Sequence, residues 1–205
     1  MSVSSTGAFL PTNELSEIVK SLPQKFILLL GLIFSSLNIF FFYSLFNNSN
    51  ILKKHYEDVI IFYVAVFFSL ILFFSIGNTT FLNIFSNVIS SLSNSGLSSY
   101  NPPQNFYLFF IFLTIIGGSI ISNSSGIKFI RLYILFKSFV LEIFKLATPN
   151  TVIDQRILKT EHKINNNNIN SSFLIFICFF ISIFLLSSIL TIGGLNFESS
   201  FKLSI

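Results

Sequence analysis

Tryptophan is absent from this 205-residue chain, cysteine occurs once, histidine twice, and charged residues make up only 10% of it. Each shortage excludes something. Cys178 has no second thiol to pair with, so no intrachain disulfide exists. His55 and His162 stand far apart with no cysteine beside either, which leaves no clustered ligand set of the kind structural metals need. Without tryptophan, an aromatic belt at a membrane interface must rely on the six tyrosines. Soluble domains carry about 25% charged residues, so the deficit of charge speaks for a lipid environment. The formal net charge is +4 and no basic run is dense, which argues against a nucleic-acid partner. No Lys or Arg precedes Lys20 and no short apolar core leads to a cleavage site, so no signal peptide is expected.

What the chain does have is apolar residue, 52% of it, with 29 phenylalanines and a mean hydropathy of +0.78. A drift towards A/T-rich codons would raise Phe, Ile and Asn together, but would not explain where the polar residues fall. A spanning helix needs roughly 20 apolar residues to cross about 30 Å of hydrocarbon. Phe26 to Phe46, Val59 to Gly77 and Ser172 to Gly193 each meet that length without a charged residue, and charge is costly at the bilayer centre.

The stretch from Asn105 to Leu146 is too long for one simple crossing: as a continuous helix it would run about 63 Å. In its middle lies Gly117-Gly118-Ser119-Ile120-Ile121-Ser122-Asn123-Ser124-Ser125-Gly126. Glycine weakens a helix, and Ser and Asn compete for its backbone hydrogen bonds. The stretch reads as a helix broken at membrane depth, which is tolerated only where protein buries it or water reaches it. The alternative is two helices joined by a short surface loop, with Lys128 and Arg131 just beyond it.

Thr80 to Leu92 is apolar, helical in pattern and too short to span. It ends at Ser93-Asn94-Ser95-Gly96, and Pro102-Pro103 follow before the next long helix. Spanning helix, half-length helix, polar glycine-containing turn and helix is the order of a pore-loop unit; an amphipathic surface helix with a proline-rich turn is the alternative. Ser4 to Ala8 and the helix after it repeat the second half of that order. The helix to Gly193 and Leu195 to Phe201 repeat the first half.

The expected organisation is therefore a half unit over 1–46, a loop over 47–58, a complete unit with a broken inner helix over 59–146, a loop over 147–171, and the opening half of a further unit over 172–205. Both ends cut a unit, so the chain is expected to be a fragment. With the Ser/Gly turns outside, the inner side holds Lys53, Lys54, Lys137, Lys145, Arg156, Lys159 and Lys163 against Lys20, Lys25 and Lys202 outside, which favours 47–58 and 147–171 as cytoplasmic. The Asn165 to Asn168 run reads as a low-complexity linker. The expected class is all-α integral membrane: spanning helices, re-entrant pore helices with filter loops, and one spanning helix broken mid-membrane.

A cation crossing a membrane must exchange its water shell for oxygen ligands, which short loops supply from backbone carbonyls. Glycine opens φ values closed to other residues, and Ser, Thr and Asn side chains can satisfy the backbone behind such a turn. Ser93-Asn94-Ser95-Gly96 meets those demands, as does Ser5-Thr6-Gly7-Ala8.

Ile116-Gly117-Gly118 through Ser122, followed by Gly126-Ile127-Lys128-Phe129-Ile130-Arg131-Leu132, resembles the broken helix of the TrkH/KtrB family of potassium uptake transporters. Thr148-Pro149-Asn150-Thr151-Val152 with Arg156-Ile157 is similar to that family's cytoplasmic H-P-x-x-V-x-x-x-R segment. Ser5 to Ala8, with Phe9 and Pro11, looks like its second filter turn, and Asn38 and Tyr43 fit the helix that follows. By position Ser93 to Gly96 is the third filter, and Leu195 to Phe201 opens the fourth pore helix. The resemblance covers nearly the whole chain but about half of a family member. It departs at Ala8, Ile121 and Ser125, where the family often has glycine.

The resemblance implies four filter turns around one axial path for dehydrated K⁺ as the transported ion, with no other cofactor. It implies gating by Gly117, Gly118, Ser122, Asn123, Ser124 and Gly126, and pore-proximal charge at Lys128 and Arg131. It also implies a multi-pass place in the cell (inner) membrane, and as partners a missing transporter half or a second copy and a cytoplasmic nucleotide-binding regulatory ring of the TrkA/KtrA type. Two other classes stand beside transport. A membrane enzyme needs nucleophiles or acid–base groups in a recognisable spacing, and the eight acidic residues mostly flank the apolar runs without His or Cys beside them in such a spacing. A non-conducting assembly or regulatory subunit, or an inactive remnant, is the other.

Overall fold

The computed structural model of the chain describes residues 19, 21–47, 55–77, 79–98, 102–148, 156–158 and 164–204. Among them every regular element is helical. In chain order these are α1 (Leu22–Ser36), α2 (Ile39–Asn47), α3 (Tyr56–Ile76), α4 (Phe81–Ser93), α5 (Tyr107–Ile116), α6 (Phe129–Ala147), α7 (Asn166–Ile192) and α8 (Phe197–Ser204), with a short 3-10 turn at Gln104–Phe106 leading into α5. The chain divides into two compact units at Phe129.

Local chemistry sets the helix ends. At the start of α1 the Ser21 N–H donates to Gln24 Oε1 at 3.1 Å, and Pro23 lies in the first turn, where its missing N–H costs nothing. Glu57 and Asp58 occupy the first turn of α3, where carboxylates favour the helix dipole. Gly77 ends α3 at φ 68°, the left-handed closure glycine permits. At 21 residues α3 spans about 31 Å. α3 and α7 are the two described helices long and apolar enough to cross a membrane.

In the first unit α4 is the helix the others surround: α1, α3 and α5 all pack on it. At 13 residues it is about 20 Å long, too short to cross. Its buried face carries Ile84, Val88, Ile89 and Leu92 together with Ser86, Ser90 and Ser93. The three helices that pack on it bury Leu29, Leu32, Ser35 and Ser36 of α1, Ile61, Ala65, Ser69 and Leu72 of α3, and Leu113 and Ile116 of α5. In lipid there is no hydrophobic drive to bring helices together; small residues do so by allowing close backbone approach. Two of these serines satisfy their hydroxyls within their own helix, Ser69 Oγ donating to Ala65 O at 2.6 Å and Ser86 Oγ to Asn83 O at 2.8 Å, while the buried Ser35 hydroxyl has no partner among the described residues. Edge-to-face phenylalanine pairs fasten the rim: Phe62–Phe85 and Phe73–Phe81 between α3 and α4, and Phe68–Phe109 between α3 and α5. On its outer face α3 exposes Phe67, Leu70 and Phe74.

Two expectations from the sequence are corrected. Phe26 to Phe46 is not one continuous span, because α1 stops at Ser36 and α2 starts at Ile39. Leu37 is extended, with φ −95° and ψ 165°. The Asn38 side chain makes the break: its Oδ1 accepts the Phe40 N–H at 2.9 Å, replacing an intrahelical carbonyl. The Asn165 to Asn168 run is not a linker either. Asn165 stands at the N-cap position of α7 without a side-chain capping bond, and the following asparagines form the first turn, with Asn168 and Ile169 N–H both bonded to the Asn165 backbone carbonyl.

The second unit comprises α6 from Ile130, α7 and α8. The eight-residue α8 packs on α7. The Lys137 ammonium donates to Arg156 O. α7 shows mostly exposed apolar side chains, including Phe173, Phe184 and Ile192.

Candidate functional site: a half-helix turn and an interrupted helix

α4 ends in a left-handed residue, Asn94 at φ 54°, and two residues later Gly96 is left-handed again at φ 67°. Asparagine and glycine are the residues that take this conformation at least cost. Hydroxyls fill the space behind the turn. Ser93 and Ser95 are fully buried. Ser93 Oγ donates to Ser90 O at 3.1 Å, the Ser95 N–H donates to Ser90 O at 3.1 Å, and the Ser90 and Ser95 hydroxyls meet at 2.9 Å.

The Asn94 side chain leaves this turn and reaches the interrupted helix. Its Nδ2 donates to Thr114 O in the last turn of α5 at 3.2 Å and to Ser125 Oγ at 2.7 Å. The Thr114 carbonyl can only accept, which fixes which end of the amide faces it. Ser125, a departure from glycine in the sequence reading, thus carries one of the two bonds from the turn to the interrupted helix.

Between α5 and α6 the chain leaves helical geometry from Gly117 to Lys128. Gly117 caps α5 at φ 69°. A Cβ there would run into Ser125 O and the Gly126 backbone, and one on Gly126, at φ 87°, would meet Thr114 O at 2.8 Å. Glycine is therefore required at both positions by conformation and by contact. The two ends are stitched together: the Ile127 N–H donates to Ile115 O at 3.0 Å and the Phe129 N–H to Gly118 O at 3.1 Å. Within the loop the Gly118 N–H donates to Ser124 Oγ at 3.0 Å, and the Ser122 and Ser124 hydroxyls lie 2.6 Å apart.

The loop is also tied to the α1–α2 break. Ser119 N–H donates to Ser36 O, a carbonyl the end of α1 leaves free, at 3.0 Å. A Cβ on Gly118 would run into that same carbonyl. The start of α3 supplies two carboxylates: Glu57 Oε1 accepts the Ile120 N–H at 3.1 Å, and Asp58 Oδ1 accepts the Asn38 N–H at 2.9 Å. Asp58 is buried, with His55 Nδ1 at 3.5 Å. The Ser119 hydroxyl faces this carboxylate but makes no bond of full hydrogen-bond geometry.

Lys128 is left-handed at φ 78° although it is not glycine, a conformation costing roughly 1–3 kcal/mol and kept only where the surroundings impose it. Its ammonium folds back onto the loop. Nζ donates to Ser122 O at 3.2 Å, to Ser122 Oγ and Ser124 Oγ at 3.3 Å each, and to Ser124 O. Arg131 is half-buried in the first turn of α6, in the second unit.

Of the candidate residues, Ser93 to Gly96 and Gly117 to Gly126 lie together in the first unit, joined through Asn94. Asn123 is exposed on the loop. Ser5, Thr6, Gly7 and Ala8, and the 149–152 segment, lie outside the described residues. The sequence reading passed over Ser36, Glu57, Asp58 and Thr114. Two carboxylates opening an apolar helix were a signal; nothing in the sequence marks Ser36 or Thr114, which act through backbone carbonyls.

No sequence-family profile and no curated protein sequence matches the chain. Among solved structures, the potassium transporter TrkH from Vibrio parahaemolyticus is similar in fold, with a TM-score of 0.77 at 19% identity over 98% of this chain. The chain spans 46% of that protein's length. The likeness shows a TrkH-like, all-helical fold.

Proposed function

We propose that the chain is part of a monovalent-cation conduit, with potassium as the transported ion, and acts as a transporter and not as an enzyme. One observation carries the reading: a helix too short to span ends in a left-handed Asn94–Gly96 turn backed by buried hydroxyls, inside a TrkH-like fold. In this reading the carbonyls around Ser93, Asn94, Ser95 and Gly96 replace part of the ion's water shell. Ser5, Thr6, Gly7 and Ala8 form a second filter turn, and Gly117 to Gly126 is the gate. The chain spans 46% of TrkH's length, and in this reading the remaining turns of the ring of four come from the rest of the transporter or from further copies of this chain. The assembly lies multi-pass in the cell membrane, and a cytoplasmic nucleotide-binding ring of the TrkA/KtrA type acts on the gate.

Substitution at Gly96 tests this. Valine at φ 67° is strained wherever it stands. With a companion polypeptide present, Gly96→Val is expected to abolish potassium flux while the chain still inserts in the membrane. Unchanged flux would remove Ser93 to Gly96 from the ion path.

A further inference from the structure

We infer that Ser122 and Ser124 form a monovalent-cation site whose resident cation is the protein's own Lys128 ammonium. The inference deepens the transport reading and rests on it for the loop's role as gate; the site itself stands on geometry.

Four oxygens converge on one ammonium: the carbonyls of Ser122 and Ser124 and both of their hydroxyls. Two residues of one loop thus provide all four. An ammonium has three hydrogens to donate, so these oxygens share them. A convergent set of carbonyl and hydroxyl oxygens is what a weakly hydrated monovalent cation accepts in place of water. An ammonium and a potassium ion carry the same charge and are nearly the same size.

The cage is built by the fold. Ser124 is buried and its hydroxyl is held by the Gly118 N–H at 3.0 Å, while Ser122 Oγ donates to Ser119 O at 2.7 Å. The left-handed backbone at Lys128 is what turns its side chain back over the loop that precedes it. A lysine that merely reached for the membrane surface would need neither the strained φ nor the four oxygens. The tethered ammonium therefore closes the loop on itself, and potassium can enter this cage only when the ammonium leaves.

The test reads the loop, not flux. Cys178, the chain's one cysteine and an exposed one, is replaced by serine. A reporter is then placed at exposed Ile121 by Ile121→Cys. Its rate of modification by a membrane-impermeant thiol reagent is measured in membranes, in choline and in potassium. Lys128→Met empties the cage and keeps the backbone strain; Lys128→Gly empties it and relieves the strain, so it folds where the first variant does not. With Lys128 in place the rate is expected to be the same in both media. In either variant choline should speed modification, and potassium at ten times the dissociation constant should slow it ~10-fold.

Rates in both variants indifferent to potassium would overturn the site. So would a native chain as potassium-sensitive as the variants, because the ammonium would then not be the occupant. A chain that carries no ion can still pass this test. Conversely, potassium uptake alongside indifferent labelling would sink the cage and leave the transport reading standing.

Discussion

Two helix interruptions lie in the first unit, and the means differ. The α1–α2 break takes only Leu37 and Asn38. One side chain cap and one buried carboxylate hold it, through Asn38 Oδ1 on Phe40 N and Asp58 Oδ1 on Asn38 N. The α5–α6 break runs from Gly117 to Lys128 and uses two left-handed glycines, serine hydroxyls and a folded-back lysine. The short break frees one carbonyl, Ser36 O, and the long break uses it, through Ser119 N. A buried backbone polar group left unpaired costs about 1–3 kcal/mol, so each interruption satisfies part of the other. The difference is between a rigid joint set by tertiary contacts and a loop that carries most of its own partners.

The largest effect is expected where the two breaks touch. Gly118→Val drives a side chain into Ser36 O and should cost about 3 kcal/mol, read as a fall in the thermal midpoint of the detergent-solubilised protein. A midpoint within error of the parent would mean that the breaks are not in contact. Next is Asp58→Ala, which strands the Asn38 N–H. A loss of about 2 kcal/mol is expected, with increased hydrogen exchange at 37–40. Protection there equal to the parent would show that Asn38 holds the joint alone.

Asn94→Ala should cost about 1 kcal/mol, since it removes the two bonds from the half-helix turn to Thr114 O and Ser125 Oγ. Ser125→Gly, losing one of the two, should cost less and be non-additive with it in a double-mutant cycle; strict additivity would deny that they act as one link. The smallest effect belongs to the second unit. Glu198→Gln breaks an exposed pair with Lys202 at 2.6 Å and should leave the midpoint unchanged.

The same contrast explains what was legible in the sequence. The long break was readable because Gly117, Gly118, Gly126 and their serines are locally unfit for a helix, and α4 was readable because an apolar run of that length cannot cross. The short break was not readable. A single asparagine among apolar residues stays helical unless something distant takes its freed N–H, and Asp58 lies 20 positions away. The asparagine run misled for the opposite reason: its composition suggested a linker, but the asparagines form the first turn of the long apolar α7. Lys128 and Arg131 were read together as pore-proximal charges. Only the folded loop separates them, because the oxygens around Lys128 converge only after Gly117 and Gly126 have closed on each other.

Potassium uptake at low external potassium, in cells lacking their own transporters, tests the central claim most directly. The chain would be expressed alone and beside a polypeptide supplying the remaining pore-loop units. Growth and uptake restored only by the pair is the expected result, and it would make the Asn94–Gly96 turn part of an ion path. No uptake with both pieces shown to reach the membrane together would contradict the account and leave a TrkH-like fold that does not conduct.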